Sequence, residues 1–293
     1  MTTSTSSDIL VIGATGNTGG ATLNALIAQG VPTRVLVRSA EKGAALASDL
    51  VTPVVGDLDD QASLVAALSG IRAVYFNVLP VAAMQGQVDR FIAAAKEAGV
   101  QHIVKLSGLN ARIDSASTLV RLHADADRRL IASGIPTTIL GANSFFQNTL
   151  GQLDAIKGQG AFYLPLGEAR QSLIDVADIG AAAAAVLTDT SAKGGTYALT
   201  GPESLSFAEV AAQLATVLDQ NVAYVPVGVS DFQGALVGAG WPEEVAFNVA
   251  ELFGVMAEGA FAPVSGDVEA LTGRAPRRHI DWLRETLGVA VPA

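Results

Sequence analysis

Short runs of apolar, often β-branched residues recur along the first two-thirds of the chain, and helix-like segments separate them. Apolar runs without polar alternation are typical of strands that are buried on both faces of a sheet. The predicted strands are Asp8–Gly13, Thr33–Arg38, Val51–Val55, Ala73–Val78, His102–Leu106 and Thr137–Leu140. The predicted helices between them are Thr18–Gln29, Ser63–Leu68, Gln87–Ala98 and His123–Ala132. This alternation indicates an α/β fold, a doubly wound parallel sheet, because each parallel return needs a long crossover.

The regular alternation of strands and helices ends after Leu140, and helical patterns dominate from Gln220 onward. In between, the pattern predicts a helix at Ser144–Ile156, a loop at Gly158–Gly167, a short strand at Ser172–Ile174, a helix at Asp178–Leu187, a strand at Gly195–Leu199 and a helix at Ser206–Leu218. Ser206 and Glu209 have the spacing of a capping box. We therefore predict a sheet domain at 1–145, which also takes in about 170–200, and a smaller, mainly helical C-terminal lobe at 146–169 and 201–293.

Composition and charge exclude several classes of protein. Of the 293 residues, 50% are apolar and 16% are charged, which excludes a disordered chain. The chain has no cysteine and three histidines, so we expect no disulfide, no thiolate zinc site and no other metal site. A net charge of −10 disfavours nucleic-acid binding. Between Gly194 and Gly273 there are ten acidic residues and no Lys or Arg, which indicates a solubilising surface that repels anionic lipids.

No segment has the features of a targeting signal or a membrane span. The Thr/Ser-rich tail Met1–Ser7 carries no basic residue, and the apolar run Ile9–Ile12 is too short for a signal-peptide core. No apolar stretch approaches the ~20 residues that a bilayer requires, and the alanine-rich run Ala181–Leu187 suits a buried helix. We expect a cytoplasmic protein without membrane partners. The oligomeric state stays open, a homodimer included.

The strongest motif is a glycine-rich turn at residues 13–19, which follows the first predicted strand and opens the first predicted helix. In this context Gly13 permits a tight turn, Gly16 lets the backbone approach a pyrophosphate, and Gly19 lets the helix pack on the strand. Exposed N–H groups and the helix dipole favour an anion there. The alternative is a glycine turn that binds nothing. The residues predicted to bind a dinucleotide are Gly13, Thr15, Gly16, Asn17, Thr18 and Gly19.

The end of the second strand indicates which dinucleotide is preferred. NAD-binding proteins usually carry an acid about 20 residues beyond the turn, where it accepts a hydrogen bond from the ribose 2′-hydroxyl. Here the strand ends in Arg38, and the first acid beyond it is Glu41. The planar guanidinium suits a 2′-phosphate, and Lys42 lies close enough in sequence to assist. This predicts NADP(H) as the cofactor, the alternative for Arg38 being a solvated surface arginine.

Further candidate cofactor contacts follow the third, fourth and fifth strands, at the edge where open α/β sheets bind ligands. Asp57 could accept a hydrogen bond from an adenine amino group, and its alternative is a turn aspartate. The other cofactor contacts predicted at this edge are Leu58, Asn77, Val78, Leu79 and Ser107.

Several segments together resemble the NmrA-like family of atypical short-chain dehydrogenases/reductases. Besides the turn at 13–19 and Arg38, the segments that carry the resemblance are Gly56–Leu58, Ala132–Pro136, Asn143–Asn148, Ile174–Ile179 and Gly273–Arg277. Within the family the chain is most similar to type-2 NAD(P)H:quinone oxidoreductases and to azo- and triphenylmethane-dye reductases. The resemblance implies a Rossmann domain that holds NADP(H), with a substrate cleft between this domain and the C-terminal lobe.

The family's short-chain relatives usually catalyse with a Tyr that is followed four residues later by Lys. The four tyrosines here are followed at that spacing by Leu79, Gly167, Gly201 and Gly228, so this pair is missing. His123 lies eleven residues before Gly134, where the isoflavone-reductase branch carries its catalytic Lys and the quinone-reductase branch a His. It could donate a proton or a hydrogen bond to an acceptor. The alternative is a histidine hydrogen-bonded to the backbone near a helix start.

We expect no catalytic role for Lys105 or for the other two histidines. Lys105, two residues before Ser107, is expected to face solvent or a carboxylate rather than to catalyse. His102 and His279 are expected at the surface or at an edge of the fold.

A site with little acid–base machinery suits a small, planar aromatic acceptor, because the cofactor brings the hydride. The residues predicted to line its pocket are Met84, His123, Asn143, Phe145, Phe146 and Trp241. We expect an NADPH-dependent oxidoreductase that transfers hydride to a quinone or azo compound. Two alternatives stay open: a non-catalytic NADP(H) sensor that regulates a partner, and a reductase of a carbonyl or phenolic ether.

Overall fold

The computed structural model describes residues 8–189 and 194–288, so the Thr/Ser-rich tail Met1–Ser7 lies outside the described residues. The strands are β1 (Ile9–Ile12), β2 (Thr33–Val37), β3 (Val51–Val55), β4 (Ala73–Phe76), β5 (His102–Gly108), β6 (Thr137–Ala142), β7 (Ala161–Leu164), β8 (Arg170–Gln171), β9 (Gly195–Leu199), β10 (Leu205–Ser206) and β11 (Ala223–Pro226). The helices are α1 (Asn17–Ala28), α2 (Ala40–Ala44), α3 (Gln61–Leu68), α4 (Met84–Ala98), α5 (Thr118–Ala132), α6 (Leu153–Gln159), α7 (Val176–Thr188), α8 (Phe207–Leu218), α9 (Val229–Gly238), α10 (Glu243–Ala257), α11 (Asp267–Thr272) and α12 (His279–Thr286). A 3₁₀ helix covers Phe146–Gln152.

Seven strands form one sheet in the order β3-β2-β1-β4-β5-β6-β9. Every pairing within it is parallel. The chain runs from β1 outward to β3 and then returns to β4 on the other side of β1. The strand order therefore reverses between β1 and β4, and open sheets bind ligands at the carboxyl ends of the strands at such a point. The doubly wound α/β fold expected from the sequence is confirmed.

Helices cover both faces of the sheet, which explains the continuous apolar strands. In β1, Ile9 and Val11 belong to the core under α1 and α7, whereas Leu10 and Ile12 belong to the core under α3 and α4. Side chains alternate between faces along a strand, so a strand that is buried on both faces must be apolar at every position.

Helices α1 and α7 approach each other backbone to backbone on one face. A Cβ atom placed on Gly180 would lie 2.4 Å from the carbonyl carbon and 2.7 Å from the amide nitrogen of the facing residues Ala21 and Thr22. The alanine-rich run predicted as a buried helix forms the body of α7, and Ala182, Ala183 and Ala184 are fully buried. Small side chains here let the two helices close over the sheet.

A third apolar core lies beyond the carboxyl ends of the strands and consists mostly of residues after position 145. Two small sheets support it, β7 with β11 in parallel and β8 with β10 antiparallel. Helix α11, which the prediction assigned to the C-terminal lobe, packs instead against α7 and β9, and its Val268 belongs to the core of the large sheet. The division of the chain into two domains stays a prediction.

Three local predictions were wrong. The segment Gly158–Gly167, expected to be a loop from its glycines, contains the end of α6 and β7, because β7 pairs with the distant β11. The short strand expected at Ser172–Ile174 is displaced, because β8 covers Arg170–Gln171 and Ile174 forms only an isolated bridge with Phe145. Helix α5 begins at Thr118 rather than at His123, and Glu251 of α10 accepts hydrogen bonds from the Thr118 amide (3.1 Å) and hydroxyl (2.9 Å). Such caps are supplied by residues that are distant in sequence.

His102 and His279, expected at the surface or an edge, are both buried. The His102 ring lies 2.9 Å from the Thr138 hydroxyl, between neighbouring strands. His279 packs edge-on against Phe146 and stacks on Trp282. None of the helices in the described part of the chain combines the length and hydropathy that a membrane span requires.

The α1–α7 contact leads to a prediction for stability. Replacing Gly180 with Ala places a methyl group against rigid backbone, so we expect the free energy of unfolding to fall by about 1–3 kcal/mol. Gly234→Ala is the matched control, since it lies in a helix with no atom within 4 Å of the added methyl group. That change should raise stability by about 0.5–1 kcal/mol. Urea unfolding of both variants checks this, and equal stability changes would contradict the close contact.

Candidate functional site

The glycine-rich turn at residues 13–19 leaves the start of α1 open to a ligand. Gly13 has a φ of +83°, which favours glycine, and the Gly16 amide donates to the Gly13 carbonyl oxygen at 3.0 Å. Gly16 is the N-cap of α1, no side chain caps the helix, and no acid occupies its first turn. Its first amide groups and the positive end of its dipole are therefore available to an anion.

Gly19 sets how closely α1 approaches the turn. A Cβ atom at this position would lie 2.1 Å from the Gly13 carbonyl oxygen, so no other residue fits without moving the backbone. Thr18 is buried, and its hydroxyl accepts a hydrogen bond of 2.9 Å from the Asn77 amide at the end of β4. The turn is thus tied to the neighbouring strand across the point where the strand order reverses.

A cavity of about 420 Å³ opens beside this turn, at the carboxyl ends of β4, β5 and β6. The predicted site residues that line it are Gly16, Asn17, Thr18, Asn77, Val78, Leu79, Ser107, His123, Asn143 and Phe145. The lining residues that the sequence analysis did not select include Leu119 and Val120 from α5, and Leu252, Met256 and Phe261 from the C-terminal part. The structure therefore brings half of the predicted cofactor and pocket residues to one cleft.

Seven predicted cofactor residues do not line this cavity, and three of them, Gly13, Thr15 and Gly19, belong to the glycine-rich turn itself. Arg38 and Lys42 are exposed after β2, and neither side chain forms an ion pair within the described residues. Asp57 is exposed after β3, and its carboxylate accepts a 2.9 Å hydrogen bond from the Asp59 amide, as a turn aspartate does. Leu58 packs against the core under α3 and α4. Their roles toward a cofactor stay predictions.

Three predicted pocket residues do not reach this cavity. Met84 is fully buried in the core between the sheet and α4, because it occupies the first turn of that helix and faces inward. Phe146 is buried against His279 and Trp282. Trp241 lines a separate cavity of the C-terminal part. Of the predicted aromatic walls, only Phe145 faces the cleft.

Asn143 lines the cleft, but its amide group is engaged in structure. The Asn143 side chain donates to the Ser172 hydroxyl and to the Phe261 carbonyl oxygen, each at 2.9 Å, and accepts from the Ser144 amide at 2.8 Å. These bonds tie the end of β6 to the segment after α10. Both N–H donors of this predicted pocket residue are therefore already used within the protein.

His123 faces the cleft in front of a buried charged pair. Lys105 is buried on β5, and its ammonium lies 2.6 Å from the Asp127 carboxylate. The same ammonium lies 3.3 Å from Nδ1 of His123, and the Ser107 hydroxyl donates to Asp127 at 2.6 Å. The carboxylate partner expected for Lys105 is confirmed, while its contact with His123 was not foreseen. The two-residue step from Lys105 to Ser107 and the one-turn step from His123 to Asp127 are the sequence signals for this cluster.

The cluster determines the protonation state of His123. Burial, together with the positive charge of Lys105, lowers the pKa of His123 from 6.5 to about 3. The ring is therefore neutral near pH 7. Burial lowers the pKa of Lys105, and the facing Asp127 carboxylate opposes that shift. With Lys105 held by this ion pair as an ammonium, which only donates hydrogen bonds, we assign Nδ1 as the acceptor and Nε2 as the protonated nitrogen. His123 thus offers one neutral N–H donor.

The tyrosines supply no alternative acid in the cleft. Tyr75 is fully buried in the sheet core, and burial raises its pKa to about 12. The described residues contain no group of three or more His, Asp or Glu side chains that could hold a metal ion. Acid–base chemistry in the cleft therefore depends on His123 and the groups behind it.

Comparison with known proteins identifies relatives that extend over nearly the whole chain. Residues 5–284 match the model of the NmrA-like family. The chain is 36% identical over 277 residues to an NAD(P)H azoreductase of Xenophilus azovorans, covering 94% of this chain and 96% of that protein. Among solved structures, the Escherichia coli NADPH-dependent quinone oxidoreductase complexed with NADPH matches with a TM-score of 0.89 and 28% identity, covering 95% of this chain and 99% of the other.

A Citrobacter sp. triphenylmethane reductase complexed with NADP(H) matches with a TM-score of 0.86 and 27% identity, covering 94% of this chain and 99% of the other. The resemblance stated from the sequence motifs is confirmed, and this chain belongs to the NmrA-like family.

Proposed function

We propose that this chain is an NADPH-dependent reductase that transfers hydride to a planar acceptor, a quinone or an azo compound. The coarser statement, that the chain is an NAD(P)H-dependent oxidoreductase, is supported by relatives named NAD(P)H azoreductase and NADPH-dependent quinone oxidoreductase. The preference for NADPH and the class of acceptor are argued from the site.

One observation carries the proposal. A single cleft joins the open start of α1, the ends of β4 and β5, and the neutral donor His123. The open start of α1 suits a pyrophosphate, and His123 suits an atom that gains negative charge. We place this cleft between the sheet domain and the C-terminal lobe.

The residues present fit a nicotinamide dinucleotide. The amides at the start of α1 have no competing side-chain cap, and the absence of a Cβ atom at Gly19 keeps the turn tight. Arg38 follows β2 without an acidic neighbour before Glu41, which suits a 2′-phosphate better than a ribose 2′-hydroxyl. When bound, NADPH supplies the hydride, and the protein supplies orientation and electrostatics.

His123 is the residue that we propose touches the acceptor. Its Nε2–H donates a hydrogen bond to the oxygen or nitrogen that gains electron density, and Lys105 holds the ring in this tautomer from behind. Phe145, Leu109 and Phe261 provide an apolar lining on which a flat ring can pack. The acceptor needs no strong acid, because reduction of a quinone or azo group can be completed by a proton from water.

Steady turnover tests the function itself. We expect the purified protein to oxidise NADPH, followed as a loss of absorbance at 340 nm, only when 2-methyl-1,4-naphthoquinone or a neutral azo dye is added. The reason is that the cleft offers one hydrogen-bond donor and an apolar wall. Binding of NADPH without oxidation in the presence of either acceptor would contradict the proposal and favour the NADP(H) sensor.

The preference for NADPH depends on Arg38. Replacing Arg38 with Ala removes a charge-assisted contact of about 1.5–3 kcal/mol, which corresponds to a rise in the KM for NADPH of about 10- to 150-fold. The KM for NADH, which lacks the 2′-phosphate, is the internal control and should change less than twofold. Equal losses with both coenzymes would remove Arg38 from the 2′-phosphate site.

His123 should affect turnover rather than cofactor binding. His123→Phe keeps a ring and removes the donor, so we expect kcat to fall by about 10²–10³-fold with an unchanged KM for NADPH. Because the pKa of His123 lies at about 3, the wild-type kcat should be constant between pH 5 and 8. A decline of kcat centred near pH 6.5 as the pH rises would show instead that a protonated His123 acts as the acid.

A further inference from the structure

A second cavity, of about 490 Å³, lies in the C-terminal part of the molecule. Most of the side chains that line it are apolar, and none of them is charged. The aromatic lining residues are Phe145, Phe162, Phe207, Phe232, Trp241 and Phe253. Its size and apolar lining are those of a small-molecule pocket, and the lack of charge excludes an ionic ligand.

This second cavity adjoins the cleft that contains His123. Ser144, Phe145, Asn148 and Met256 line both cavities and form the wall between them. A ligand that is longer than one ring and reaches past these shared residues would have one end beside His123 and the other in the second cavity. Trp241, which is half-exposed, lies at the rim of the second cavity.

One polar side chain in the second cavity has no partner. Gln171 is fully buried, and its backbone pairs with Leu205, yet neither its Nε2 nor its Oε1 atom has a hydrogen-bond partner. Leaving a buried amide unpaired costs about 1–3 kcal/mol, so such groups usually have a ligand or a bound water as partner. A carboxamide both donates and accepts, which suits a neutral group such as a hydroxyl or a carbonyl.

We infer that the second cavity binds the distal, uncharged part of an elongated acceptor, and that Gln171 hydrogen-bonds a polar atom on that part. This inference rests on the proposed function and adds the substrate class. The acceptor carries a reducible ring, placed beside His123, and a neutral apolar extension, placed among Phe162, Phe207 and Phe232. Acceptors whose extension bears a sulfonate or carboxylate are excluded, because no cation lines the second cavity to pair with it.

Three variants separate the second cavity from the cleft. Val249→Trp fills the second cavity from α10, and Val245→Trp is its matched control, being one turn earlier on the same helix and exposed. Gln171→Leu removes the carboxamide with little change in volume. Because the side chain of Gln171 has no hydrogen bond to lose, the thermal midpoint of Gln171→Leu should equal or exceed that of the wild type.

The acceptors are three neutral quinones used with NADPH. One is 2-methyl-1,4-naphthoquinone, which has no extension. The other two share one 1,4-benzoquinone ring and differ only in a decyl or a 10-hydroxydecyl chain. Val249→Trp should raise the KM of both chain-bearing quinones at least tenfold and leave the first quinone unchanged, while Val245→Trp changes none. Gln171→Leu should remove the lower KM of the hydroxydecyl over the decyl compound.

A calorimetric titration with 1-decanol keeps this inference separate from the proposed function. The alcohol should bind the wild type and Val245→Trp, and bind Val249→Trp at least tenfold more weakly, whether or not any quinone is reduced. Binding of 1-decanol without quinone turnover would contradict the proposed function and support the second cavity. Equal KM changes for all three quinones in Val249→Trp, or a lower thermal midpoint of Gln171→Leu with unchanged chain preference, would overturn the inference.

Discussion

The contact between the Gly13 carbonyl and Gly19 is the constraint on which the rest of the site depends. At 2.1 Å from that oxygen there is no room for a Cβ atom at position 19, so α1 can begin directly above the end of β1 only with glycine there. This position aims the free amides of the helix at the point where the strand order reverses. On the far side of α1, Gly180 permits the same kind of approach by α7. Missing side chains therefore set how closely the first part of α1 packs on the turn and on α7.

A buried ion pair behind the cleft determines the protonation state of His123. An isolated ammonium on β5 would be very costly, but Lys105 pairs with Asp127, which Ser107 also contacts. The pair leaves one ammonium proton for Nδ1 of His123, so the ring is held neutral and its outward nitrogen stays a donor. The sequence suggests that His123 could act as an acid. In the structure Lys105 and Asp127, which do not line the cleft, keep His123 as a neutral hydrogen-bond donor.

The fold could be predicted from the sequence much further than the site. Buried parallel strands have a local signature, so β1 to β6 and β9 were all located within a few residues, and the turn at 13–19 was recognised by its spacing. Met84 and Phe146 were misplaced because an apolar side chain near a strand end can face the cleft or the core, and only packing decides which. The contact of Lys105 with His123 was not predicted, because it joins a strand to a helix and has no local sequence pattern. Gln171 carried no sequence signal, because a missing partner is visible only in three dimensions.

Three of the motifs that carried the family resemblance, Asn143–Asn148, Ile174–Ile179 and Gly273–Arg277, are joined by hydrogen bonds and ion pairs within the protein. Asp175 caps α7 and pairs with Arg277 at 2.8 Å, while Gln147 donates to the same carboxylate at 2.7 Å. The buried carboxylate of Asp178, whose pKa is raised by burial, accepts from the Arg277 amide at 2.7 Å. These bonds hold three segments together that are distant in sequence. These three motifs therefore indicate how the chain packs rather than which substrate it takes.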